Sequence, residues 1–289
     1  MNKLVTTGIG VGAVAIGLYA GVSIYTSKVA EAKVDEFIAE VDDAAIIEYG
    51  SAKVNLMGAN LTISDISIAP AESPEQVVNI DKIIIREFDD KAEFPTVFDA
   101  SVKGIQVDAS QASTAMVTPF LAQAGYDQSL LLDLDTRYTY EEASGEITLD
   151  EFRLGADDFG YFEVTFKLSN FDPEATTNDA LTLHSAEIVY QDDSFVENLL
   201  ASMAAQSNQD IKQFKTQLTS GISQNAQFFV STDNPTAMTA IDETVAFIQK
   251  PEGFRIAANP SQPIAVSELT AATNPEAWMT MLNLEIQSF

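Results

Sequence analysis

The chain has 289 residues, 43 acidic against 15 basic side chains, and a formal net charge of −28. Phosphate backbones and anionic headgroups are captured by lysine and arginine clusters, so a surface this negative excludes nucleic acid as a partner and repels acidic lipid. At 46% hydrophobic and 20% charged residues the chain has enough apolar side chains to build a core, and with no cysteine it has no disulfide, thiolate metal site or cysteine nucleophile.

Residues 4–25, LVTTGIGVGAVAIGLYAGVSIY, carry no charge. The run is longer than the 7–15 apolar residues of a secretory leader and matches the ~20 residues a helix needs to cross a bilayer. It predicts a cytoplasmic stub at 1–3 and a transmembrane helix over 4–26. Ala30-Glu31-Ala32 has the form of a leader-peptidase site, but Ala32 lies seven residues past Tyr25, so the span is expected to be retained. Lys3 and the free amine precede the run, while Lys28 is followed by Glu31, Asp35, Glu36 and Glu40. That bias points the N-terminus inward and the acidic body outward. The expected location is a bacterial inner membrane, single-pass, with the C-terminal domain periplasmic. Ala13, Gly17 and Gly21 stand four apart, and Gly8 and Gly12 share a neighbouring track. Small residues at that spacing let a second helix approach, which makes these five the candidate helix–helix contact face, for a membrane-protein partner or for self-association.

Residues 27–43 place Val29, Val34, Phe37, Ile38 and Val41 near helical spacing and predict a stalk helix. The period then changes to two. AIIEYGSAKVNLMG, NLTISDISIAP, VVNIDKIIIREF and TVFDASVKGIQVDA read as four strands joined by turn residues, an antiparallel meander. QASTAMVTPFLAQA, 111–124, reads as helical around Pro119, with Gly125 as a stop.

A second strand set follows: SLLLDLDTRYTY, GEITLDEFRLG, GYFEVTFKLSNF and ALTLHSAEIVYQD. Leu130, Leu132 and Leu134, and likewise Phe162, Val164, Phe166 and Leu168, alternate with polar residues, the pattern of a sheet wetted on one face. Residues 193–226 become helix-favouring, and NPTAMTAIDETVAFIQK opens on an Asn-Pro cap and stops before Pro251. GFRIAANPSQPIAV reads as an edge hairpin, NPEAWMTML as a short helix and LNLEIQSF as a last strand. The expected fold class is α+β: an N-terminal transmembrane helix, then an exported domain at 44–289, mainly antiparallel, with helices packed on one face and a division into 44–125 and 126–289.

The chemistry is sparse. The one histidine, His184, lies in an alternating strand, and no G-x-S-x-G elbow, phosphate loop or G-x-G-x-x-G after a strand accompanies it in the exported part. Asp89-Asp90, Asp133/Asp135, Asp157-Asp158 and Asp192-Asp193 offer oxygen ligands, yet none has the layout of a calcium loop. No catalytic residue, cofactor or metal is expected.

The segment MNKLVTTGIG…GLYAGVSIYTSKVAEAKVDEFIAEV, running into IIEYGSAKVNLMGANLTISDISI, resembles the YdgA-like bacterial envelope proteins, with Tyr25-Thr26-Ser27-Lys28 at the junction and Tyr49 in the first strand. GEITLDEFRLG…GYFEVTFKLSNF is similar to strand units of AsmA-like envelope proteins. The resemblance implies a β-rich periplasmic protein connected with lipid handling or envelope assembly, and carries over no catalytic residue. The expected function is that of a non-enzymatic scaffold or accessory subunit of a membrane complex. The alternative is a carrier or groove for lipid or another apolar ligand. A hydrolase built on a carboxylate pair is a third reading.

Overall fold

The structure is a computed structural model. It describes residues 27–41, 44–55, 60–89, 94–108, 118–126, 129–173, 175, 180–229, 234–272 and 275–289. Its chain divides into two compact units, residues 1–122 with 126–138 and residues 123–125 with 139–289.

In the first unit, helix α1 (Ser27–Val41) precedes strands β1 (Ala45–Glu48), β2 (Ser51–Asn55), β3 (Asn60–Pro70), β4 (Val78–Phe88) and β5 (Val97–Asp108). The short helix α2 (Thr118–Gln123) and strand β6 (Ser129–Glu141) follow, and the division between the units falls inside β6. AIIEYGSAKVNLMG is divided at Tyr49-Gly50, so β1 and β2 pair with opposite ends of the same strand, β3. The Tyr49 hydroxyl donates to Asp35 in α1 at 2.8 Å and ties the helix to this first hairpin. Ala30 and Val34 of α1 are completely buried in the core of the unit.

That core is a stack of branched side chains, all but Leu61 branched at Cβ. Leu61 faces Ile85, Ile63 faces Ile83 and Ile66 faces Ile80; on the next strand Ile83 faces Val102 and Ile80 faces Ile105. All but Ile105 are at most 2% exposed. The stack is dry because branched side chains fill a pleated surface with little rotamer freedom to lose. Alternation slips by one in neighbouring strands: the buried positions run Ile63 to Ile66 on β3 and Ile80 to Ile83 on β4. Asp65 takes a φ of 56° there, and Gly104 on β5 takes 68°; a Cβ at Gly104 would lie 2.2 Å from Asp81 Oδ2. Glycine is the residue that allows this crossing.

The second unit carries β7 (Glu146–Ala156), β8 (Gly160–Ser169), β9 (Thr182–Asp192), β10 (Gly253–Ala258), β11 (Ile264–Ala265) and β12 (Leu284–Ser288). Neighbours bond in the order β7-β8-β9-β10-β12, antiparallel, with β11 attached to β9. The expected edge hairpin at 253–266 is therefore two separate pairings: β10 and β11 both lie against β9. Its helices are α3 (Phe195–Gln206), α4 (Ile211–Phe229), α5 (Pro235–Gln249), α6 (Val266–Ala271) and α7 (Pro275–Met281). The helix-favouring run after β9 is broken at Ser207–Asp210, where Asn208 has φ 52°. Asn234 caps α5, its side chain accepting from the Ala237 N–H at 3.1 Å, with Pro235 at the first helical position.

The expected fold class, a transmembrane helix ahead of an α+β domain with helices on one face, is corrected by this architecture. The described residues form mostly antiparallel sheet, twelve strands in all, and none of their helices is long and apolar enough to cross a membrane. The reason is composition. α1 spans only 15 residues and carries Glu31, Lys33, Asp35 and Glu36, while α4, at 19 residues, carries Lys212, Lys215 and five glutamines or asparagines. Residues 4–25, with Gly8, Gly12, Ala13, Gly17 and Gly21, lie outside the described residues.

Candidate functional site: an apolar sheet face in the second unit

Alternation in β7, β8, β9, β10 and β12 sends every second side chain to one face, and the register lines these up in rows across the strands. The first row is Leu154, Phe162, Tyr190 and Phe254. Phe152, Val164, Ile188, Ile256 and Ile286 form the second. Leu149, Phe166, Ala186, Ala258 and Leu284 form the third, and Ile147 with Leu168 and Leu183 extends it. A bulge between Leu149 and Phe152, and another beside Leu168, keep the apolar side chains in phase. At strand spacings of about 4.8 Å and about 6.8 Å between rows, the face measures roughly 20 Å by 20 Å.

Closure of this face is partial. In β7, β8 and β9 the buried residues are Ile147, Gly160 and Asp192; the apolar side chains otherwise remain half-buried or exposed. Phe162 is 40% exposed and Ile188 39%, whereas their counterparts in the first unit, Ile63 and Ile83, are at 0%. One helix reaches the far side of the rows: Phe247 of α5 meets Tyr190 and Phe254 edge-on, with ring centroids 6.2 and 5.6 Å apart. Glu243 of the same helix accepts from the backbone N–H of Ser288 at 2.7 Å and from its hydroxyl at 2.6 Å, which fixes α5 beside β12. The two Ser288 hydrogen bonds hold the Glu243 carboxyl below its ordinary range.

Exposed carboxylates stand at both ends of β7–β9, Glu141, Glu142 and Asp172 at one and Asp157, Asp158 and Asp193 at the other, while Glu163 and Glu187 point to the face opposite the rows. Between 141 and 193 the sequence has fourteen carboxylates and two cations, Arg153 and Lys167. Both cations are engaged: Arg153 stacks over the Tyr161 ring at 3.8 Å and Lys167 pairs with Glu146 at 2.7 Å. Arg255 of β10 pairs with Glu187 of β9 on the face opposite the rows.

Other polar groups tie elements together within each unit. In the first unit, Arg86, Asp99, Ser101, Lys103, Asp133 and Asp135 form a network on β4, β5 and β6. Arg86 donates to Asp99 at 2.6 Å and also to Ser101, whose hydroxyl donates to Asp135. Lys103 Nζ stands 2.9 Å from Asp135 and 3.2 Å from Asp133, and the Gly104 N–H donates to Asp133. Burial pushes the Asp135 carboxyl up, but the hydrogen bonds from Ser101 and Lys103 and the nearby cations outweigh it and hold it below the usual carboxylate range. Burial depresses the Lys103 ammonium, and the two aspartates outweigh that and raise it. In the second unit Lys215, only 7% exposed, donates to Glu197 and to the Gln249 carbonyl, linking α4 to α3 and α5.

The residues singled out in the sequence are thereby placed. Asp133 and Asp135 belong to the lysine network. Asp192 accepts from the Val196 N–H at 2.9 Å and from the Tyr190 hydroxyl, and so caps α3. Asp158 sits in the β7–β8 turn with φ 61° and accepts from Ser194 through its carbonyl. Asp89 accepts from Thr96, and Asp90 lies outside the described residues. His184 shares a hydrogen bond of 2.8 Å with Ser169. Among the described residues no group of three or more His, Asp or Glu is arranged to hold a metal ion. The Phe162 alternation pointed to the dry face; its incomplete closure had no counterpart in the local pattern, because exposure depends on where α5 lands.

A groove of about 510 Å³ also runs along α4, lined by Phe214, Leu218, Gly221 and Ile222 with Gln209 and Gln217, which are hydrogen-bonded to each other at 2.9 Å.

A family model described as "Uncharacterized protein" matches residues 153–288. The match begins within β7 and ends with β12, so it covers most of the apolar rows. No curated protein matches the chain.

Proposed function

We propose that the chain is a non-enzymatic assembly protein that engages a partner protein through the partly uncovered apolar rows of its second unit. The observation that supports this reading most is the exposure of Phe162 and Ile188 in adjacent rows of a five-strand apolar face. Contiguous apolar surface of a few hundred Å² on a folded domain marks an interaction site more often than an accident of packing. The open, broad form of the face favours a macromolecular partner over a small apolar ligand, which is held in a concave site that buries most of its surface. The part of the face outside α5, three strands wide, is roughly 200–300 Å², about a third of what one side of a stable complex buries, so the contact is expected to be reversible or to extend past the strands. The first unit, with its filled core, supplies the rigid body of the scaffold.

The test is covalent capture. Photo-reactive benzoylphenylalanine at Phe162, illuminated in the intact cell, is expected to give one discrete protein adduct that is missing when the same group replaces Lys53, in the other unit. Adducts confined to lipid would transfer the assignment to the carrier reading, and the absence of any adduct would overturn partner binding.

A further inference from the structure

The uncovered part of the face has the dimensions and the charge of a seat for one particular kind of element. A helix is about 10 Å across with its side chains and covers two to three strands of a sheet. α5 already occupies one such position, inserting Phe247 against Tyr190 and Phe254 on β9 and β10. What remains, from Leu154 and Phe152 on β7 through Phe162, Val164 and Phe166 on β8 to Ile188 on β9, is three strands wide, the width of one more helix. Four apolar residues on one helix face, at i, i+3, i+4 and i+7, would span two of these rows and cover Phe162 and Ile188.

Charge selects among helices. Exposed Glu141, Glu142 and Asp172 stand at one end of the strands and exposed Asp157, Asp158 and Asp193 at the other, and the two cations of β7 and β8 are engaged with Tyr161 and Glu146. A helix with acidic flanks, or a second copy of this chain at −28, would meet like charge at the rim. Basic flanks would meet opposite charge. We propose that the partner element is a cationic amphipathic helix, docked on β7–β9 beside α5 with its apolar face on Phe162, Val164 and Ile188 and its lysines or arginines toward the acidic rim. The proposal rests on the partner-binding reading above and specifies the partner's chemistry.

The probe is an 18-residue peptide of leucine and lysine in helical spacing, fluorescently labelled and titrated into the full chain; its control is the same peptide with glutamine for lysine. The lysine peptide is expected to bind one-to-one, at least tenfold tighter than the glutamine peptide, and to weaken as salt is added. Phe162→Glu combined with Ile188→Glu decides the site. These changes add negative charge, so simple electrostatic capture would become tighter, whereas docking on the apolar rows would weaken at least tenfold. Both positions are about 40% exposed, and the pair Phe162→Ala with Ile188→Ala, expected to weaken binding severalfold, serves if the glutamates unfold the sheet. Equal binding of both peptides, or binding that survives the glutamates, overturns the proposal. No binding by either peptide also overturns it, while capture at Phe162 in the cell would still stand for a partner of other chemistry.

Discussion

Asp135 shows how one carboxylate is held in place. It receives the Ser101 hydroxyl and the Lys103 ammonium, and Arg86 stands 4.0 Å away, so its folded-state acidity is greater than in the unfolded chain. A carboxyl with a depressed folded pKa contributes stability that is present above the ordinary carboxylate value and is lost as pH falls through the folded one. Lys103, shifted upward, contributes below the ordinary lysine value and loses its part only in strongly alkaline solution. Asp135→Asn is accordingly expected to cost about 1–2 kcal/mol in urea unfolding at pH 7. The deficit against wild type should stay constant down to about pH 5 and shrink below pH 4. A deficit independent of pH would mean that Asp135 acts by shape alone.

At the scale of elements, capping and side-chain period set where segments begin and which way they face, while contacts with the rest of the chain set what they cover. Asn234-Pro235 is a helix start that is legible from sequence, and α5 begins there. Asn234→Ala removes the acceptor for the Ala237 N–H and is expected to cost about 1 kcal/mol, read as a lower urea midpoint. Loosening α5 also withdraws Phe247 from Tyr190 and Phe254, so binding of an apolar dye to the sheet should rise in the same variant. Unchanged dye binding would mean that α5 is held by Glu243 and Ser288 alone. By contrast, the pairing of β11 with β9 has no local signature, since the two prolines at 260 and 263 suit a hairpin turn as well as a crossing segment. The slip of one residue at Asp65 and Gly104 likewise interrupts a strand pattern without ending the strands.

For the whole molecule, the contrast between the units predicts unequal sensitivity to truncation. Ile83→Ala opens a hole in a filled core and is expected to cost about 2–5 kcal/mol. Phe162→Ala, a larger deletion at a 40% exposed position, should cost about 1 kcal/mol, because much of its area is already in water. Equal losses in urea unfolding would show that Phe162 is as enclosed as Ile83, and the case for an open docking face would fail.

The sequence by itself determined most of the strands, their dry faces and the acidic composition, because these depend on side-chain alternation and on charge, both local properties; the split of 45–55 into β1 and β2 and the pairing of β11 came from the structure. It also led to the alternating run that carries Phe162. Tertiary structure alone decided that Leu61, Ile63 and Ile83 are sealed in one unit, whereas Phe162 and Ile188, with the same alternation, are left partly in water. The physical reason is that periodicity states which side of a strand is apolar; whether that side is covered depends on where a helix distant in sequence comes to rest, and α5 rests over β10 and β12.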